Sequence, residues 1–432
     1  MTAEIAILNP HGVALAADSA VSVTTPHGQK TYNTANKLFA LSKFHPVGMM
    51  IYGTGTFMGI PWEALVKVYR QGLRRRSFPV LRDYAEDFLG FLRERRGLFP
   101  EEAQQRFVYS SSFGLVHQLL KHGDARREAI SSQGAAPPVL DAVEREARDY
   151  CGWLEKQSVL DSFADLTGEN ITGQYGAIMH RAIRDALGTA ELAGATLVLL
   201  TQAAVETIRR DVWADPYAGL VVAGFGRDEM FPELVTYYLN GMLAQRLRCK
   251  LSKEKSVSPG NGAVLLPFAQ QYEMVHTFME GVHPEYHRDM MAYLDSLFKS
   301  LPEIVLSRLL PEAVANLQPT RSLLAEVLSS VHGDLVGFLN DYRRSRHVDP
   351  VVDTIAILPK DELAAMAETL VNLAVFKRRM SMEPETVGGP VDVAVISKGD
   401  GFIWIKRKHY FDPKLNPGFL GNYLAEGEAS NE

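Results

Sequence analysis

The sequence of 432 residues predicts an α+β protein of two antiparallel sheets carrying inserted helical subdomains. Two observations lead there. Strand-like apolar runs cluster in the first fifty-odd residues and return near Gly219–Leu239 and Val391–Ile405. Long stretches of helical periodicity lie between these clusters, so strands and helices are grouped rather than alternating. That grouping argues against a doubly wound parallel sheet.

The chain opens on a hairpin pattern. Ala3 to Leu8 is an apolar run with one charge, Asn9-Pro10-His11-Gly12 is a turn, and Val13 to Ala17 is a second apolar run ending on Asp18. Paired strands bring their far ends together, so Thr2 and Asp18 are expected to be neighbours. Ser19 to Asn36 is polar and reads as a loop or twisted extension. Lys37 to Leu41 and Val47 to Tyr52 are strands, the second ending at Gly53-Thr54-Gly55. An antiparallel meander of four strands fits this spacing.

Helices follow. Trp62, Leu65, Val66 and Tyr69 share one face, with Pro61 at a first-turn position. Val80 to Arg95 repeats the pattern, and Pro100 to about Val212 stays helical. Gly219–Gly224 and Glu233–Leu239 form a hairpin, Ser252 to Asn261 is a polar loop, and Val264–Phe268 is a short strand. Gln271 to Leu339 is helical, broken by Pro284, Pro302, Pro311 and Pro319. A long helix then begins at Asp361 as N-cap, with Lys377-Arg378-Arg379 in its last turn. Val391–Ile396 and Phe402–Ile405 close the fold as a hairpin, and the tail from Gly421 frays.

Composition narrows the function. A net charge of -6 gives no global basic field, which argues against a nucleic-acid partner. Cys151 and Cys249 form no C-x-x-C pair, so no structural metal site or disulfide framework is expected. No secretory leader is read at the start, and a reducing cytoplasm is the expected location. The most apolar stretch is read as Leu192 to Val205, too short to span a bilayer, so no membrane partner is expected.

The hairpin also carries chemistry. A threonine that becomes the N-terminus on removal of Met1 has a hydroxyl and a free α-amine on one residue, a nucleophile with its own base. Thr2 stands before a strand pair ending in Ala16-Ala17-Asp18-Ser19, Lys37 opens the next strand, and Gly53 closes the fourth. This arrangement resembles the opening of the proteasome β-subunit family of N-terminal-nucleophile (Ntn) hydrolases, including its bacterial members of the Anbu type. The final helix, Val387-Gly388-Gly389-Pro390 and the last hairpin resemble the same family. Together these stretches cover about half of the chain, roughly 2–96, 217–240 and 360–407.

The resemblance implies a four-layer αββα sandwich of two antiparallel sheets. It divides the chain into a first core segment (1–96), a helical insertion (97–214), core strands (215–270), a second helical insertion (271–359), a C-terminal core helix and hairpin (360–410) and a tail (411–432). It implies catalytic roles for Thr2, Asp18, Lys37 and Gly53, with no cofactor and no metal. Glu383 or Glu385 would stand in for the family's supporting residues before Gly388.

The residues allow that chemistry on their own terms. An α-amine titrates near ~7.7–8.0, so much of it is neutral and can accept a proton. Lys37 beside it would favour neutral amine and ionised hydroxyl, and Asp18 would hold Lys37 charged and oriented. The N–H of Gly53, with Gly55 as a further donor, could bind an oxyanion, a contact typically worth ~2.7–4 kcal/mol. Singly, Asp18 reads as a strand-end acid and Lys37 as a strand lysine; joint spacing carries the assignment.

The expected function is therefore a threonine peptidase or amidase acting on a peptide or amide substrate, expected to form a homo-oligomer. The competing reading is an inactive proteasome-fold scaffold or sensor that binds a protein partner through its helical insertions. A third is a nucleotide enzyme using Gly53 to Gly59, spaced one residue off the dinucleotide fingerprint. His283 and His287 read as a surface pair, and the arginine clusters as solvated helix ends.

Overall fold

The structure is a computed structural model. It describes residues 3–25, 28–95, 97–131, 138–188, 192–214, 216–260, 262–269, 271–309, 318–382, 386–418 and 421. The chain begins with strands β1 (Ala3–Asn9), β2 (Gly12–Ala17), β3 (Val21–Thr25), β4 (Gly28–Tyr32), β5 (Leu38–Ala40), β6 (Val47–Gly53), β7 (Thr56–Phe57) and β8 (Ile60–Pro61). Six helices follow: α1 (Trp62–Leu73), α2 (Leu81–Glu94), α3 (Glu101–Ser131), α4 (Val139–Leu154), α5 (Gly168–Leu187) and α6 (Gly194–Arg209). Strands β9 (Ala218–Gly224), β10 (Glu233–Leu243), β11 (Arg246–Ser256) and β12 (Val264–Ala269) come next. The chain ends with α7 (Gln271–Glu280), α8 (Pro284–Leu309), α9 (Gln318–Arg343), α10 (Asp349–Ile357), α11 (Lys360–Met380), β13 (Asp392–Ser397) and β14 (Gly401–Lys406).

The fold is mixed α+β with two five-stranded antiparallel sheets, and the chain divides into two compact units. The first unit takes residues 1–38 and 256–432 and holds the sheet β12-β1-β2-β13-β14. Helix α11 lies on this sheet. Leu363, Ala367, Leu370 and Val371 pack with Ile5, Ile7, Ala14 and Ala16 in one buried cluster. These strand residues alternate with Ala6, Leu8, Val13 and Leu15, which are also buried, so both faces of β1 and β2 are covered.

The second unit, residues 39–255, holds the sheet β11-β10-β9-β6-β5. Its core joins Met49 and Ile51 of β6 and Leu220 and Val222 of β9 to Trp62, Leu65, Tyr84 and Phe88 of α1 and α2. Helices α3 to α6 form further clusters of their own, built on Phe163, Tyr175 and Met179 and on Val116, Val143 and Leu200.

Several expectations change. The opening strands are not one meander: β1 and β2 belong to one sheet, β5 and β6 to the other. The polar segment between them forms the ribbon β3–β4, with Val21 opposite Tyr32. Ser252–Ser256 extends β11 rather than forming a loop; its side chains are largely exposed, as suits an edge strand. Asp361 is not the N-cap of α11. Pro359 is, and Asp361 and Glu362 sit in the first turn, where carboxylates favour the helix dipole. Pro302 lies inside α8 rather than ending it.

A longer apolar helix lies elsewhere than Leu192–Val205. The helical run Gln318–Ile357 has a window of mean hydropathy 1.3, none of it buried, and by length and composition alone it is long enough to cross a membrane. It is the one such helix among the described residues. Glu326, His332 and Asp334, scattered along it, hide this character from a pass along the sequence.

Candidate active site

The β1–β2 hairpin sets the geometry. Asn9 Oδ1 accepts the His11 N–H at 2.9 Å, closing the turn, and Asn9 Nδ2 donates to the carbonyls of Ile355 and Leu358 at 2.9 and 2.8 Å. Gly12 completes the turn, since a Cβ there would sit 2.4 Å from the Ile396 carbonyl oxygen. The register then pairs Glu4 with Ala17. Asp18 is thereby carried opposite Ala3: its N–H donates to the Ala3 carbonyl at 3.0 Å, and the Ala3 N–H donates to its Oδ1 at 2.9 Å. Thr2, the next residue, lies outside the described residues, as do Glu383 and Glu385.

Lys37 arrives from the segment before β5. Its ammonium is 2.5 Å from Oδ1 of Asp18, with side-chain exposures of 7% and 0%. The other oxygen, Oδ2, accepts the N–H of Gly388 at 2.9 Å and of Ala20 at 3.3 Å. Ser19 reinforces the arrangement, donating its N–H to the Gly388 carbonyl at 3.1 Å and its hydroxyl to the Pro390 carbonyl at 2.5 Å. A buried ion pair costs desolvation on both sides, and several donors on the carboxylate are what offset it. Asp18 is thus a fixed strut joining β1, the Lys37 segment and the Gly388 turn.

One member was not singled out in the sequence. Glu4 is fully buried, and neither carboxyl oxygen has a hydrogen-bond partner among the described residues. Burial holds its carboxyl well above the usual range; Lys37 opposes that shift and Asp18 adds to it. Burial therefore disfavours the ionised form of Glu4 in the field of a charged pair. The only signal in the sequence was a single acid inside an apolar run.

Gly53 belongs to the second unit. It ends β6 opposite Ala218, with φ of +87°. A Cβ would lie 2.1 Å from the Tyr217 carbonyl oxygen, so only glycine fits there. The segment to Gly59 forms the small hairpin β7–β8, and the pairings β12–β1, β1–β2, β2–β13, β13–β14, β10–β9 and β9–β6 are all antiparallel. The dinucleotide reading lacks the parallel βαβ unit it needs.

Other nucleophiles and ligands are less well placed. Burial pushes the Cys249 thiol up to about 11, away from the reactive thiolate, and it raises the Cys151 thiol as well. Both ring nitrogens of His283 are engaged, with the Glu285 N–H at 3.3 Å and Lys377 at 3.3 Å. No cluster of three or more metal-ligating side chains occurs among the described residues.

No protein-family model matches the chain, and no curated protein matches it. Among solved structures it is similar to Anbu (ancestral beta-subunit) from Yersinia bercovieri, at 10% identity and a TM-score of 0.27, over 100% of this chain and 97% of that one. It is also similar to Anbu from Hyphomicrobium sp. strain MC1, at 9% identity and a TM-score of 0.27, over 100% of this chain and 98% of that one. Likeness at this level leaves the fold resting on the strand order and register described above.

Proposed function

We propose that the chain is an Ntn hydrolase of the proteasome type, a cytoplasmic threonine peptidase or amidase. Thr2, freed by loss of Met1, is the nucleophile, and its α-amine is the base. One observation carries the reading: Lys37 and the backbone N–H of Ala3 share the same oxygen of Asp18, at 2.5 and 2.9 Å. The residue after Thr2 is thereby tied to a buried cation. An ammonium has three donors and Asp18 takes one, which leaves capacity for the threonine hydroxyl.

In this reading the amine takes the hydroxyl proton and the oxygen attacks the amide carbon. The oxyanion is received by a backbone N–H, the proton passes to the leaving amine, and water cleaves the ester. Burial disfavours a second negative charge at Glu4 in the field of Lys37. Hydrolysis of an N-acyl peptide amide by wild-type protein and Thr2→Ala tests this. Loss of about 10³-fold or more in the variant is expected; equal rates rule out Thr2 as nucleophile.

A separate observation favours the scaffold reading. Helix α9 buries none of its described side chains, and Leu323, Val327, Val331, Phe338 and Tyr342 are about half or more exposed. At the helical repeat they fall within an arc of about 100°. Such a stripe is suited to assembly of like subunits or to a protein partner. An assembled, catalytically silent protein that retains Met1 is the outcome this reading expects.

A further inference from the structure

Within the second unit, α3 shows an unusual face. Arg106, Phe107, Ser110, Ser111 and Gly114 recur at spacings of three and four and line a cavity of about 440 Å³. The short side chains at its middle create the room: a Cβ added at Gly114 meets nothing within 4 Å. Thr54 to Gly59, around β7, forms another wall, and Asn240 and Arg248 of β10 and β11 also line the space. This volume falls in the range of small-molecule sites.

The charge of the cavity is one-sided. Arg106 and Arg248 line it, and no described acidic side chain does, although the whole chain is at -6. Arg248 is 1% exposed. It donates to the carbonyls of Thr207, Ile208, Arg210 and Val212 and to Asn240 Oδ1, and stacks over Trp213 at 4.4 Å. Its partners are dipoles rather than a carboxylate. Asp211, which pulls on it electrostatically, is itself bound by Lys250 and the Trp213 indole. Burial lowers the guanidinium to about 10, against the pull of Asp211. Arg106 is exposed and makes no hydrogen bond or ion pair among the described residues. Phe57, Phe107, Leu115 and Ile208 supply an apolar side to the same space.

We propose that this cavity binds a small organic carboxylate with an apolar body, its acid group taken by Arg106 in the field of Arg248 and its body set against Phe57 and Phe107. The proposal goes beyond the hydrolase reading and survives its failure, since it requires binding only.

Calorimetry on the full chain tests it, with N-acetyl-L-phenylalanine, its carboxamide and inorganic phosphate as probes. The acid is expected to saturate the protein and to bind about tenfold tighter than the carboxamide or phosphate, less so at high salt. Arg106→Met is expected to weaken the acid about tenfold without changing the melting temperature, because the side chain is exposed. Gly114→Phe is expected to block binding by filling the space; if it does not fold, Arg106→Met decides. Absence of saturation by the acid, equal binding of acid and carboxamide, phosphate binding as tightly as the acid, or unchanged binding in Arg106→Met each overturns the proposal.

Discussion

The ammonium of Lys37 lies 2.5 Å from Oδ1 of Asp18, and that oxygen also receives the N–H of Ala3. The pair is buried, so its two halves are interdependent. Asp18→Ala leaves a cation without its counter-charge and frees the N–H groups of Ala3 and Gly388. A loss of ~3–5 kcal/mol is expected in urea unfolding. Asp18→Ala with Lys37→Met is expected to recover part of it, because the stranded charge is gone. A double variant whose loss equals the sum of the two singles would show the residues to be uncoupled.

Glu4 ties stability to pH. Its folded pKa is raised above the value of 4.5 for a free carboxyl. Between the two values the folded protein holds a proton that the unfolded chain releases. Stability from this group is complete below the unfolded value and is lost as pH rises toward the folded one. Glu4→Gln removes the dependence. The variant is expected to melt above wild type at about pH 8 and near it at about pH 4. A larger gap at the lower pH contradicts an upward shift of the Glu4 carboxyl.

Gly53→Ala is expected to destabilise by roughly 1–3 kcal/mol or more, from positive φ at a residue with a Cβ and from the approach to the Tyr217 carbonyl. Gly59 is the control. Its φ is +88°, but a Cβ there meets nothing within 4 Å, so Gly59→Ala carries the backbone strain alone. Thermal denaturation of the two variants separates the terms; equal losses would remove the steric one.

The stripe on α9 makes a prediction about assembly. Leu323→Ser with Phe338→Ser alters two side chains that are 63% and 64% exposed. The fold is expected to lose less than about 0.5 kcal/mol, the usual scale for surface positions. Light scattering is expected to report a smaller assembly than wild type. An unchanged mass in solution dissociates the stripe from self-association.

The sequence made the Asp18–Lys37 pair readable because strong local signals set it. Asn9, Pro10 and Gly12 fix the turn, the turn fixes the register, and the register fixes what stands opposite Ala3. Glu4 escaped for the opposite reason: one acid in a strand looks like an ordinary solvent-facing residue, and only tertiary burial reverses that. The division of β1–β2 and β5–β6 between two sheets was also hidden. Pairing partners such as β13 and β9 lie hundreds of residues downstream, and local spacing is the same for one meander as for two sheets. Nothing local marks Arg248; carbonyls from the end of α6 to Val212 surround it, and they come from a distant segment. The cavity on α3 depends on Ser110, Ser111 and Gly114 being small, a pattern that by itself signals nothing but a helix face.

Mass spectrometry of the intact protein and its N-terminal peptide, after treatment with an epoxyketone, tests Thr2 most directly. The reagent requires a reactive hydroxyl and a free α-amine at one residue. Met1 is expected to be absent and the adduct to sit on Thr2, with labelling lost in Thr2→Ala and strongly reduced in Lys37→Ala. Retained Met1, or equal labelling of wild type and Thr2→Ala, contradicts the assignment.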